Sequence, residues 1–351
     1  MSPLLSLADA AAQLNPRGHY LNTAAVGVPP RRCVEAVQRA VDQWSRGELE
    51  AADFDPLVAA ARGSFARLLG VAADCVAIGA TVSEFVGVIA SSLPVGSEVL
   101  CVEGDFASVL APFLVRQEAR EIVVRLVPLE RLVESIGSST TLVASSAVQS
   151  SDERILDRAG LLEACRRHGA ATLIDATQAA GWLPLSGSDF DYVVTAAYKW
   201  LLSPRGAAFL CVKPELLAEL RPHAAGWYAG KDVWRSIYGA PLRLAETARR
   251  LDMGPAWLSW VGCAASLAFI EEVGVDAIHA HDVRLASLFS ERVLGRASAS
   301  AIVAVPGDDA FERLRARGVA ASRRAGGTRL GFHLYNTEED VIAAADALLR
   351  P

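Results

Sequence analysis

The chain has 351 residues, 52% of them hydrophobic and 21% charged, enough apolar material for a large core and too little charge for disorder. A net charge of −6 argues against nucleic acid or an anionic membrane as the main partner, while leaving room for a local anion site. At this length, one large domain plus a smaller one is the expectation.

Taken in chain order, the N-terminal stretch MSPLLSLADAAAQLNP has no basic start and carries Asp9 inside a weakly apolar run, a poor match to a signal peptide. RRCVEAVQRAVDQW predicts a helix with Val34, Val37, Val41 and Trp44 on one face. Short β-type runs then recur at 75–79, 98–102, 121–127, 141–148, 171–176, 191–196 and 207–212. Helical segments separate several of them, and ERILDRAGLLEACRRHG ends in a helix stopped by Gly169. Strands alternating with helices imply crossover units and a mostly parallel seven-stranded sheet, with ligands at the carboxyl ends of its strands.

Beyond 221 the composition shifts. RPHAAGWYAGKDVWRSIYGAP reads as a long ordered loop, and its Trp227, Tyr228, Trp234 and Tyr238 are candidate walls of a lid over a substrate. WVGCAASLAFIEEVG reads as a helix, followed by another helix, the strand SAIVAVP, the segment TRLGFHLYN and a closing helix from Glu338. The expected division is a large α/β domain over 17–255 and a small α+β domain over 256–351, with 1–16 packing nearby.

The six cysteines, Cys33, Cys75, Cys101, Cys165, Cys211 and Cys263, show no CxxC or Cys/His metal spacing and lie mostly in apolar stretches. No apolar run reaches the roughly 18 residues of a spanning helix. A cytoplasmic protein that holds no metal and meets neither membrane nor nucleic acid is expected.

The chemistry concentrates at two strand ends. Asp175 ends ATLIDA, Gln178 follows three residues later, and Lys199 follows DYVVTAAY. Neighbouring strand ends in a parallel sheet converge on one rim, so a carboxylate, an amide and an amine can meet there. Pyridoxal phosphate chemistry requires such a set: an amine to form a Schiff base and a carboxylate to keep the pyridine nitrogen protonated. Lysine is scarce, with Lys213 and Lys231 the only others. A Rossmann dehydrogenase is disfavoured because no G-x-G-x-x-G follows the first strand.

The block LIDATQAAGWLPL…FDYVVTAAYKWLLSPRGAAFL resembles the signature of class V aminotransferases, a fold-type I group of pyridoxal-phosphate enzymes that includes cysteine desulfurases, kynureninases and isopenicillin N epimerase. YLNTAAVGVPP, IGATVSEFVGVIAS, EGDFASVLAPF and TRLGFHLYNTEEDV resemble further family segments in the same order, and YKWLLSPRG is similar to actinobacterial members. The resemblance implies Lys199 as the Schiff-base lysine, Asp175 as the pyridinium partner, Gln178 on the phenolic oxygen and Phe106 stacked on the ring. It implies phosphate on the backbone of Ala80, Thr81 and Val82 with the Thr81 hydroxyl helping, and a further phenolic donor from Tyr198. Gln149 would stand beside the ring. Arg329 would pair with the substrate α-carboxylate, and Asn22 and Ala25 would lie on the substrate side. A homodimer with loops closing each other's sites is implied as well.

Three departures matter: Tyr198 stands where desulfurases have His and, like the missing loop cysteine, points away from that branch, while a third weakens the expected contact across the dimer. Desulfurases carry a nucleophilic cysteine upstream of the carboxylate-binding arginine, and RARGVAASRRAGGTR has none. Where the family usually has Gly-Thr in a loop reaching the partner's phosphate, DMGPAW has Gly254-Pro255. The expectation is an enzyme breaking a bond at the Cα of an amino acid, a transaminase first, with C–S β-elimination or epimerisation as alternatives. A non-catalytic relative is disfavoured because Lys199 and Asp175 are both present.

Overall fold

The computed structural model describes residues 5–241, 243–307 and 309–350. From the N-terminus, α1 (Leu7–Ala11) and β1 (His19–Tyr20) precede two helices, α2 (Arg31–Ser45) and α3 (Asp55–Leu68). There follow β2 (Val76–Gly79), α4 (Val82–Ser92), β3 (Glu98–Val102), α5 (Ala107–Glu118), β4 (Val123–Val127), β5 (Thr140–Ser146), α6 (Arg158–His168), β6 (Ala171–Asp175), β7 (Tyr192–Ala196) and β8 (Ala208–Val212). The remaining chain forms α7 (Trp257–Val273), α8 (Val275–Leu294), β9 (Ile302–Pro306), α9 (Ala310–Ala316), β10 (Val319–Ala320), β11 (Ser322–Arg324), β12 (Gly327–Gly331) and α10 (Glu338–Leu349).

The seven apolar runs become one seven-stranded sheet in the order β2-β8-β7-β6-β5-β3-β4. Pairing is parallel from β7 across to β4, and β8 alone runs against both its neighbours. Both faces are covered over the other six strands, which explains their nearly unbroken apolar runs, whereas the edge strand β4 carries Arg125 and leaves Val123 and Leu126 exposed. Val76, Ile78, Leu100, Val102, Val143, Ile174 and Val193 join one core, with residues of α3 and α7. Their alternates Ala77, Val99, Cys101, Leu142, Ala144, Leu173 and Val194 join a second core, with residues of α4 and α5. The architecture is the expected fold-type I α/β arrangement.

Local signals place the helix ends. The Asp157 carboxylate accepts from Gly160 N (3.0 Å) to start α6, and Gly169 ends it at φ 71°, a left-handed conformation in which a side chain would be strained. Three basic residues in the last turn of α6 complement its dipole. In α10 a Thr337–Asp340 capping box starts the helix at the expected Glu338.

Helix α2 forms where expected but turns differently. Cys33 and Ala40 are its buried residues, whereas Val34, Val41 and Trp44 are 39%, 39% and 66% exposed. Small residues on the inner face let α2 approach α7 closely, so the larger apolar side chains are left outside. Val37 is the one predicted residue of that face that packs inward.

The packing division also differs from the expected boundary at 256. Trp260, Cys263, Leu267, Phe269, Ile270 and Val273 place α7 in the large core, against α2 and α3. The smaller core begins with α8, where Leu285 and Phe289 meet Val303, Leu314, Leu330, Phe332 and Val341. Leu21 joins this core too, because β1 pairs in parallel with β10. Residues 5–14, in contrast, lie against α7: Leu5 N donates to Glu272 O (3.0 Å) and Ala10 is buried in the large core.

Candidate active site

Five strand ends and one strand start meet at a single rim. The chain leaves β2 at Gly79, β3 at Val102, β5 at Ser146, β6 at Asp175 and β7 at Ala196, while β8, being reversed, enters there at Ala208. The cleft at this rim measures about 340 Å³, within the range of small-ligand sites. Its walls include Ala80, Thr81, Val82, Phe106, Asp175, Gln178, Tyr198 and Lys199 of the sequence-predicted set. Asn22, Ala25, Gln149 and Arg329 do not line it, although Arg329 reaches it through Ser150.

Lys199 is 5% exposed, its Nζ 5.1 Å from the Phe106 ring centroid and 5.6 Å from that of Tyr198. Burial lowers its pKa to about 8; the Asp175 carboxylate opposes this, and Arg329 and Arg324 reinforce it. The other lysines are paired with carboxylates, Lys213 with Asp191 (2.9 Å) and Lys231 with Glu246 (2.7 Å). Gly27 lets the 20–30 loop lie against the lysine: its N donates to Tyr198 O (2.9 Å), and a Cβ there would stand 2.0 Å from Lys199 O. No side chain fits that approach.

Asp175 is 4% exposed, and burial raises its pKa to about 6, against hydrogen bonds from Thr177 that lower it. The Thr177 N–H donates to Oδ1 (2.8 Å). At neutral pH the carboxylate is mostly ionised in a desolvated place and calls for a cation.

Gln178 has its amide orientation fixed by chemistry. The Trp200 indole N–H can only donate, so the atom 2.8 Å from it is Oε1, and Nε2 donates to Ala24 O (3.0 Å). One Nε2 hydrogen is left for a ligand. Trp200 is held in turn by His333, whose Nε2 lies 3.1 Å from Trp200 O and carries the proton because a carbonyl only accepts. His333 Nδ1 lies 2.8 Å from buried Asp282, which ties this turn to α8.

Asp105 is a positioning residue that the sequence reading missed. Its Oδ1 accepts from Phe106 N (2.7 Å) and Ser146 Oγ (2.6 Å), and its Oδ2 from Ser146 N (2.7 Å). These bonds fix the Phe106 turn beside Lys199. Gln149 donates to the same carboxylate (3.3 Å), which holds it back from the cleft wall where it was expected. The signal was the aspartate in GDFAS, one residue before the aromatic.

At the start of α4, Thr81 is the N-cap, and Glu84 completes a capping box. Glu84 Oε2 accepts from Ala80 N (3.1 Å) and Thr81 N (2.8 Å), so two of the three amides expected to bind phosphate are already engaged. Among the cleft-lining residues outside the sequence-predicted set are Ser83 and Arg205.

Arg329, on β12 opposite Ser322 of β11, is 2% exposed. It donates to Ser150 O (2.5 Å) and Ser322 Oγ (3.3 Å), while its Nε is buried with no partner among the described residues. Burial, followed by repulsion from Arg324, lowers its pKa to about 10. This guanidinium faces no carboxylate among the described residues, and a buried positive charge in that position would be favoured by an anion. Asn22 bridges to Gly331 on the same strand, and its Oδ1 is also buried without a partner.

The proposed lid residues lie elsewhere in this chain. Trp227, Tyr228 and Trp234 pack on one another, and Tyr228 and Trp234 both donate to Asp55 (2.9 and 2.8 Å), while Tyr238 is 92% exposed. None lines the cleft.

Comparison with known proteins places the chain in a family. The chain is 29% identical over 309 residues to an uncharacterized aminotransferase of Bacillus subtilis, YcbU, covering 82% of each chain. It is 29% identical to the isopenicillin N epimerase of Streptomyces clavuligerus, covering 95% of each. A solved structure of C-DES with glycine covalently linked to its PLP cofactor superposes with a TM-score of 0.84 at 20% identity, covering 94% of this chain and 97% of the other. The family model for aminotransferase class-V matches residues 19–308, and the chain belongs to that family of pyridoxal-phosphate enzymes.

Proposed function

We propose that the protein is a pyridoxal-phosphate enzyme that exchanges the amino group of an α-amino acid, a class V transaminase. The observation that carries the amino-acid part is Arg329, a buried guanidinium with no carboxylate partner among the described residues, beside the lysine that would do the chemistry. The donor set fits the cofactor. Lys199 would hold its aldehyde carbon, Asp175 its ring nitrogen and Gln178 Nε2 its phenolic oxygen, with the exposed Phe106 ring free to stack. When bound, pyridoxal phosphate supplies a sink for the electron pair left when a bond to the substrate Cα breaks.

The chain's own residues do the rest. Arg329 orients the substrate by its carboxylate, Asp105 and Ser146 hold the Phe106 turn, and Trp200 keeps the Gln178 amide in one orientation. Lys199 Nζ, depressed to about 8, is neutral often enough near neutral pH to take and return a proton at Cα. Persulfide chemistry has no thiol to use: Cys263 is fully buried with its pKa pushed up to about 12, and no cysteine lines the cleft among the described residues.

The same reading includes a homodimer. Val34, Val41 and Trp44 leave an apolar stripe on α2, supporting a partner surface beside the large core. No described helix is long and apolar enough to cross a membrane, and six free cysteines suit a reducing, cytoplasmic compartment. The deciding experiment incubates the purified enzyme with a panel of amino acids, with and without a keto-acid acceptor, and identifies products. A keto acid that exceeds one equivalent per site only with acceptor supports transamination. Pyruvate with ammonia would replace it by β-elimination, and an inverted enantiomer by epimerisation.

A further inference from the structure

Arg205 lies on the turn leading into β8, the strand that starts at the cleft rim. The antiparallel register of Gly79 with Ala208 sets the residues just before Ala208 beside those just after Gly79, so Arg205 shares the rim with the start of α4. Its guanidinium carbon stands 5.6 Å from the Tyr198 ring centroid, and the residue lines the cleft together with Ala80, Thr81 and Ser83. It belongs to none of the ion pairs among the described residues.

This end of the cleft has a charge problem. Glu84 occupies the Ala80 and Thr81 amides, and it adds a carboxylate where a helix start would otherwise offer bare N–H groups. A helix dipole contributes about half a charge, too little to offset that carboxylate and a phosphate dianion together. A guanidinium fork at the same end of the cleft supplies a full positive charge and paired donors.

We propose that Arg205 is the principal cation for the cofactor's phosphate, held over the cleft by the face of Tyr198. The inference rests on the cleft being the pyridoxal-phosphate site and adds which residue neutralises the phosphate. Thr81 and Ser83 hydroxyls line the same end and complete the donor set.

The test uses the full-length chain stripped of cofactor and titrated with pyridoxal phosphate and with pyridoxal, which lacks the phosphate, following tryptophan fluorescence. Arg205→Gln should lose roughly tenfold or more in affinity for pyridoxal phosphate, the scale of a partly exposed charge-assisted hydrogen bond. Its affinity for pyridoxal should stay at the wild-type value, and Arg205→Lys should fall between wild type and Arg205→Gln. Equal weakening of both aldehydes, or unchanged pyridoxal phosphate affinity, overturns the proposal. If the latter comes with a raised KM for the amino acid, the guanidinium serves the substrate instead. A wild-type chain that takes up neither aldehyde would refute the cleft assignment itself, and the Arg205 role with it.

Discussion

Replacing Arg329 by methionine should stabilise the folded protein while disabling it. The drop to about 10 from the ordinary guanidinium range corresponds to about 3 kcal/mol held against the charged form by burial and by Arg324. Hydrogen bonds to Ser150 O and Ser322 Oγ return about 1–2 kcal/mol of that, the second being long at 3.3 Å. Arg329→Met keeps most of the side-chain volume and removes the charge, so a net gain of roughly 1–2 kcal/mol is expected, a few degrees in melting temperature. Binding should move the other way. Truncating one partner of a buried charged pair costs about 2–5 kcal/mol, which raises the apparent KM for amino acids on the order of 30-fold or more. Thermal unfolding of the cofactor-loaded enzyme without substrate, followed by absorbance titration with amino acids, measures both. A lower melting temperature would show that the guanidinium supports the core rather than waiting for a ligand. Unchanged affinity would show that another residue takes the carboxylate.

The remaining expectations follow from the same geometry. Borohydride reduction of the loaded enzyme should fix the cofactor on a peptide containing Lys199, and label on Lys213 or Lys231 would overturn the assignment. In the cofactor-free chain, reaction of Lys199 with an aldehyde should rise with pH through about 8, because the neutral amine is the nucleophile. Asp175→Asn should lower that midpoint further, since the carboxylate favours the protonated amine; a wild-type midpoint near 10.5 would contradict the desolvation argument. Conversion of cysteine to alanine through a protein-bound persulfide should be negligible, and robust desulfuration lost in Cys263→Ala would sink that reasoning. Sedimentation should show a dimer that Trp44→Asp weakens, and an active, cofactor-loaded monomer at micromolar concentration would count against the shared-site reading.

The large sheet was legible in the sequence, and so were Asp175, Gln178 and Lys199 as neighbours at its edge. Strands buried on both faces are apolar almost throughout, so six of the seven stood out as runs for that reason and the exposed edge strand β4 for its β-branched residues alone, while Asp175 and Lys199 at two strand ends share one cleft. Gly169 stopped α6 because only glycine readily takes its left-handed conformation. What the tertiary structure decided depended on neighbours far along the chain. The inward face of α2 was set by its close approach to α7, which admits Cys33 and Ala40 and leaves Trp44 outside. Helix α7 joined the large core because its apolar side chains fit against α2 and α3. Gln149 was drawn aside by Asp105, and Glu84 claimed two amides of its own helix start. Arg205 came to the cleft only because β8 is reversed, which brings the strand's beginning, rather than its end, to the rim. Periodicity and composition report each residue's own preference for water or core; which polar group meets which is fixed by strand direction and long-range packing.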